Sequence, residues 1–350
     1  MTEIVDTIPQ AEPTPPPPPA HTPREIFVGK DGLRAGWSLL IYIILVVAIG
    51  FCVSKVAQRI HPMPPPVKHV AGQPIPPPQP QGARQLFIGE TIQFSIVALA
   101  TFFMALIERR RTGVFGLGGR STTGAKPIPN FLAGLFWGVL CLSLLILILK
   151  STGLLVFDAR LLFGSAVISK YAIVWLVGFL LVGLFEEYLT RGYLQYTLTR
   201  GLAGIYRAAF KTPHAHALGF WTAAVLLSVL FGLGHSSNPG ESPIGLLSAG
   251  TAGFVFAYSL WRTGSLWWAI GFHCTWDWAQ SFLYGVADSG TMVQHHLYAT
   301  HPVGKPIMSG GLTGPEGSIY VLPILALIAI IITLTLRKTP PPPIAADLPA

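Results

Sequence analysis

Hydrophobic residues in this chain fall in long uncharged runs, at 35–54, 91–107, 131–149, 171–185, 217–234, 243–261, 263–276 and 318–336. A backbone in hydrocarbon must pair its polar groups internally, and about 20 apolar helical residues cross the ~30 Å of a bilayer core. The runs therefore predict about eight membrane-spanning helices. The second run extends back to Leu86 through Glu90, and the seventh extends to Tyr284 through Asp277. The segments 1–33, 57–84 and 339–350 are polar and proline-rich. Such stretches adopt extended polyproline conformations and pack no core. They read as a cytoplasmic disordered tail, an external loop and a second disordered tail. The first 33 residues have none of the features of a cleavable signal sequence. Three N-terminal spans would then occupy 34–150, and a second membrane domain 151–338, with its polar motifs concentrated in 170–285.

Composition removes the soluble alternatives. Apolar residues make up 51% of the chain and charged residues 11%, with a mean hydropathy of +0.55. A soluble domain carries about 25% charged residues. The fold class is an all-α polytopic bundle in a lipid bilayer. The net charge of +8 is explained by orientation. With the N-terminus in the cytoplasm, Arg109, Arg110 and Arg111 fall on the inside, as do Arg191, Arg200, Arg207 and Lys211. No basic cluster is interleaved with stacking aromatics on a soluble domain, so no nucleic-acid partner is expected. Cys52, Cys141 and Cys274 lie in spans without metal or disulfide spacing.

Ionisable residues inside three spans change the picture. Such groups are costly in a bilayer, about 2.5–3.5 kcal/mol each on insertion scales, so each needs a compensating role. The fourth span runs into FEEYLTRGYL, where Glu187 and Arg191 are i,i+4 on one face and can pair. Glu186 lies about 100° round the helix, free to face another element. The fifth span ends in FGLGHSSNPG, with Phe231 and His235 again i,i+4. The seventh holds GFHCTWDW, where Asp277 stands one turn from His273 and can orient its ring. At the helical rise, Glu186 lies ~18 Å, His235 ~22 Å and His273 ~14 Å from the cytoplasmic face, one middle layer of the bundle. His214, His216, His295, His296 and His301 fall in loops and are set aside as solvated.

In that order the three segments read E-E-x-x-x-R, F-x-x-x-H and H-x-x-x-D. The chain thereby resembles the CPBP family, the CAAX proteases and bacteriocin-processing enzymes also called Abi, over roughly residues 170–285. GLTGPEGS, residues 311–318, looks like the glycine-rich loop before the last helix of many bacterial members. The resemblance implies an eight-span fold related to the Ras-converting CAAX endoprotease. It implies a membrane-embedded endopeptidase that hydrolyses a peptide bond of a membrane-associated peptide or protein, in a bacterial cell membrane. By motif position Glu186 and His235 activate water, while His273 and Asp277 serve the oxyanion. Glu187, Arg191 and Phe231 give structural support. No cofactor is implied.

Asp277 stands where an amide donor would suit an oxyanion better, so it either carries a proton or only orients His273. Two other readings stay open. Glu186, His235, His273 and Asp277 together offer the N and O ligands that zinc accepts. A non-catalytic scaffold or bacteriocin-immunity-type protein would keep the same residues as buried polar groups.

Overall fold

The computed structural model describes residues 24–29, 32–60, 80–118 and 126–339. The tail 1–23, most of the proline-rich loop and the tail from 340 lie outside the described residues. The chain is an all-α bundle whose helices, except α5, fall on the predicted runs. They are α1 (Ala35–Ile60), α2 (Ala83–Glu108), α3 (Pro127–Ser151), α4 (Ser165–Glu187), α5 (Gln195–Phe210), α6 (Ala215–Gly234), α7 (Pro243–Thr263), α8 (Trp267–Trp278) and α9 (Val321–Thr335). Prolines open α3 and α7, where the missing N–H costs nothing, and the Ser242 side chain caps α7 by accepting from Gly245 N–H at 3.0 Å. Gly264 stops α7 in the left-handed region, at φ 64°.

Among the described residues, six helical segments are long and apolar enough to cross a membrane. The two remaining spans of the expected eight are shorter. Val321–Thr335 has 15 residues. Trp267–Trp278 has 12, continued by a π-helical turn, Ala279–Leu283. The reason for the second is its place: α8 is the axis of the bundle, with Trp268 through Phe272 and Cys274 through Asp277 all buried. A helix surrounded by protein has no need of a full lipid-spanning length. The fourth span departs from expectation in the other direction. It continues through a π-helical stretch, Tyr188–Leu194, into α5, so that one helical rod runs from Ser165 to Phe210.

Small residues let the backbones touch. Gly134 of α3 lies against the Trp268 backbone, Gly138 against Phe272 and Thr275, and Gly271 of α8 against the Phe131 backbone; a Cβ at any of the three would overlap these atoms. This is the small-residue packing expected where helices associate without a hydrophobic drive between them. The Thr275 hydroxyl crosses the same seam and donates to Leu135 O at 2.8 Å. Gly183 of α4 brings that helix close to Ile270 and His273 of α8. Outside the bundle, strands Leu155–Arg160 and Tyr298–Pro302 pair antiparallel. They anchor the chain between α8 and α9, which folds back over one end of the helices.

Candidate active site

The polar residues of α4 and α8 meet where Gly183 allows the two helices to approach. Glu187 is fully buried. Its Oε1 accepts from Arg191 Nη1 at 2.7 Å, the i,i+4 pair read from the sequence, and also faces His273 Nδ1 at 3.1 Å. Nδ1 therefore carries a proton and donates it. His273 Nε2 points the other way, 3.7 Å from Glu186 Oε2 and 3.5 Å from Asp277 Oδ2. The sequence left two roles for Asp277, to carry a proton or to orient His273 by a hydrogen bond. The structure places it on Glu187, and Asp277 approaches only the opposite nitrogen. The reason is rotational: the ring's Nδ1 edge faces α4, which Asp277, on the ring's own helix, cannot reach.

Arg191 sits in the π-helical stretch, a local widening that is frequent at functional sites. Its guanidinium lies 4.2 Å over the Phe231 ring, a cation–π contact that gives Phe231 a structural part beside the motif histidine. Gly253 of α7 clears the space for it, since a Cβ there would overlap Arg191 Nη2. His235 follows α6 directly. Its Nδ1–H donates to Phe231 O at 2.8 Å, which fixes the tautomer and turns Nε2 away from its own helix. Among the described residues no ion pair joins His235 to Glu186.

Glu186, His235, His273 and Asp277 line one cavity of about 300 Å³, together with Phe231. Its apolar wall comes from α7 and α9, including Val255, Phe256, Val321, Leu325 and Ile328. Three further carboxyl groups line it that the motif reading did not select: Glu90 of α2, and Asp288 and Glu316 of the segment between α8 and α9. Glu90 was visible in the sequence as the charge that interrupts the second apolar run. Glu316 lies within the glycine-rich GLTGPEGS segment. Asp288 had no signal. Asp288 Oδ2 accepts from Ser281 Oγ at 3.2 Å, and Glu316 Oε1 accepts from Ser289 Oγ at 2.7 Å and from the Ser289 backbone N–H. Burial, then the neighbouring carboxylates Asp277 and Glu316, pushes the Asp288 carboxyl well above its ordinary range. Burial likewise raises Glu316, against the lowering effect of the Ser289 hydrogen bonds.

Among the described residues no three His, Cys, Asp or Glu side chains are grouped as a metal ion would require.

Residues 168–279 match the family described as type II CAAX prenyl endopeptidase Rce1-like. The matched stretch runs from α4 into the turn after α8 and includes all seven motif residues, Glu186, Glu187, Arg191, Phe231, His235, His273 and Asp277. A search of curated proteins and a search of solved structures found no match. Residues 168–279 are thus similar to the Rce1-like family of type II CAAX prenyl endopeptidases.

Proposed function

We propose that the chain is an intramembrane endopeptidase in which a glutamate and two histidines hydrolyse a peptide bond of a membrane-associated peptide or protein. One observation carries the reading: Glu186, His235 and His273, from three separate helical segments, line a single cavity inside the bundle. Glu186 is the base. It takes a proton from water held between it and His235, and the resulting hydroxide adds to the scissile carbonyl. His273 Nε2 then donates to the oxyanion from the doubly protonated ring, whose charge Glu187 and Asp277 balance once Glu186 holds the water's proton. A donor aimed at a developing oxyanion is worth about 3–4 kcal/mol. The C–N bond breaks as the leaving nitrogen takes the proton that the water gave up, relayed by Glu186 or His235.

In this reading Asp277 is part of the electrostatic frame of His273, and its hydrogen-bond anchor is Glu187. The water is activated by side chains alone. The protein resides in a cell membrane of bacterial type with its N-terminus in the cytoplasm, and it has no nucleic-acid partner.

The test compares membrane peptides from cells carrying wild type and Glu186→Gln by mass spectrometry, then follows a peptide that changes with purified protein. Glu186→Gln is expected to reduce cleavage by at least about 100-fold, the low end for a lost general base. Turnover by wild type is expected to survive a strong chelator. An unchanged peptide pool with unchanged growth would favour the scaffold reading, and chelator-sensitive cleavage would favour a metal-dependent one.

A further inference from the structure

Between Glu187 and Glu241 the chain has no acidic residue, but it has the cations Arg191, Arg200, Arg207 and Lys211. Two of them are engaged inside the bundle, Arg191 with Glu187 and Arg200 with Glu108. Arg207 and Lys211 are exposed, and among the described residues neither makes an ion pair. They stand at the junction of α5 and α6. Two helical segments long and apolar enough to span a bilayer, Ser165–Phe210 and Ala215–Ser237, meet there, so the junction is a membrane boundary. Arg207, Lys211, Thr212 and His216 line an open cleft of about 560 Å³ at this place, apart from the cavity that holds Glu186. The Thr212 hydroxyl accepts from the His214 backbone N–H at 3.1 Å, and its own proton has no acceptor among the described residues. Beside the cleft Ile205, Phe210 and Leu218 expose apolar side chains, Phe210 to 68%. Orientation in the membrane explains cations anywhere in such a junction. It does not explain the backbone of Lys211, which ends α5 in the left-handed region at φ 47°. Gly264 holds the same position at the end of α7. A lysine there bears strain that glycine avoids, which marks its side chain as the feature being kept.

We propose that this cleft is a binding site for the phosphate headgroup of an anionic phospholipid. Arg207 and Lys211 supply charge-assisted donors to the phosphate oxygens, and the Thr212 hydroxyl supplies a third donor. The acyl chains lie along Ile205, Phe210 and Leu218. Basic pockets between spanning helices at a membrane boundary hold such headgroups, and each cation near the surface adds to the attraction. The two halves of the site act together. A soluble phosphate ester offers the anion but leaves the apolar flank bare. A zwitterionic lipid covers the flank but brings its own cation to a cleft that already holds two. The site is independent of the hydrolase reading, because none of its residues lines the cavity of Glu186.

The experiment uses the purified full chain in a neutral detergent. It is offered dioctanoyl phosphatidylglycerol, dioctanoyl phosphatidylcholine or glycerol phosphate, and the first bound adduct is titrated by native mass spectrometry. Phosphatidylglycerol is expected to bind about tenfold tighter than phosphatidylcholine, and glycerol phosphate is expected not to be retained. In Arg207→Gln/Lys211→Gln the preference should shrink to about twofold. In Lys55→Gln/Arg59→Gln, which removes two exposed cations of α1, it should stay at the wild-type value. Lys211→Gly gives a second reading, because it removes one charge and relieves the left-handed backbone. Its melting temperature should equal or exceed that of wild type while the preference drops about threefold. Equal binding of the two lipids by wild type overturns the proposal. So does a preference that survives in the double variant, that is lost equally in the α1 variant, or that Lys211→Gly keeps in full. Glycerol phosphate bound as tightly as the anionic lipid overturns the lipid as occupant. If the double variant fails to fold, Lys211→Gly and the wild-type order of the three ligands decide.

Discussion

Glu187 is the most constrained residue of the site. It accepts from Arg191 at 2.7 Å and from His273 at 3.1 Å through one oxygen, and it has no exposed surface. A buried carboxylate stripped of its cation costs far more than the pair contributes, about 3–5 kcal/mol when one partner is removed. Arg191→Ala also removes the guanidinium stacked on Phe231. It is therefore expected to lower the melting temperature in detergent and the abundance in membranes, read by quantitative blot. Glu186→Gln, at a half-buried residue, should leave both near wild type. Equal abundance of Arg191→Ala and wild type would count against this pairing as a structural one. The ordering also separates the adjacent glutamates by task, one closed against its own helix and α8, the other open to the cavity.

At the scale of elements, the seam between α3 and α8 sets where His273 stands. Gly138→Ala would push its new methyl into Phe272 O and Thr275 Oγ1. The helices must part, and overpacking of this kind costs about 1–3 kcal/mol. Gly89→Ala, whose Cβ would meet nothing within 4 Å, is the matched control on α2. Thermal melting should distinguish them, with only Gly138→Ala destabilised, and equal melting points would refute the seam. The segment between α8 and α9 behaves differently, because its carboxyl groups titrate. Asp288 and Glu316 have raised folded-state values. The folded state then holds protons that the unfolded chain has already released. Their contribution to stability is complete below the ordinary carboxyl range and is lost as pH rises through the raised values. The melting temperature is expected to fall from acid towards neutral pH by this route, and Asp288→Asn should flatten the slope. An identical slope in that variant would contradict the assignment.

For the molecule as a whole, a second buried network joins the N-terminal helices to the half that carries Glu186. Glu108, at the end of α2, accepts from Arg200 Nη2 of α5 at 3.0 Å and from the Ser38 hydroxyl of α1, and Arg110 Nε approaches its other oxygen at 3.5 Å. Arg200 reaches on to Leu33 O at 2.8 Å, and Arg110 to the Tyr196 hydroxyl at 2.8 Å. One carboxylate thus gathers α1, α2 and α5, and α5 is continuous with the helix that carries Glu186. Glu108→Ala removes the shared acceptor and leaves the buried Arg110 and the partly buried Arg200 without their common carboxylate. A loss of about 3–5 kcal/mol is expected, seen as a lower melting point and as faster limited proteolysis. A variant as stable as wild type would mean that α1 and α2 are held by apolar contact alone.

Order and approximate place of the spanning helices were legible in the sequence, because a lipid-facing run is a local property written in consecutive residues. The i,i+4 pairs were legible for the same reason, since helical geometry alone puts Glu187 beside Arg191 and Phe231 beside His235. Which groups meet across helices was another matter. Glu187 and His273 are 86 positions apart, and no spacing within either helix says how far each is rotated about its axis. That rotation, set at Gly183 and the α3 seam, decided that Glu187 rather than Asp277 anchors the histidine ring. The π-helical turns after α4 and α8 were equally silent, as was the extension of α4 into α5. So were the places of Asp288 and Glu316 in the cavity, which depend on a long connection folding back over the bundle. The sequence by itself determined a helical membrane bundle with ionisable residues in its core. Only the tertiary structure decided which face of each helix turns inward, because side-chain packing between distant segments, and not any local pattern, fixes helix rotation.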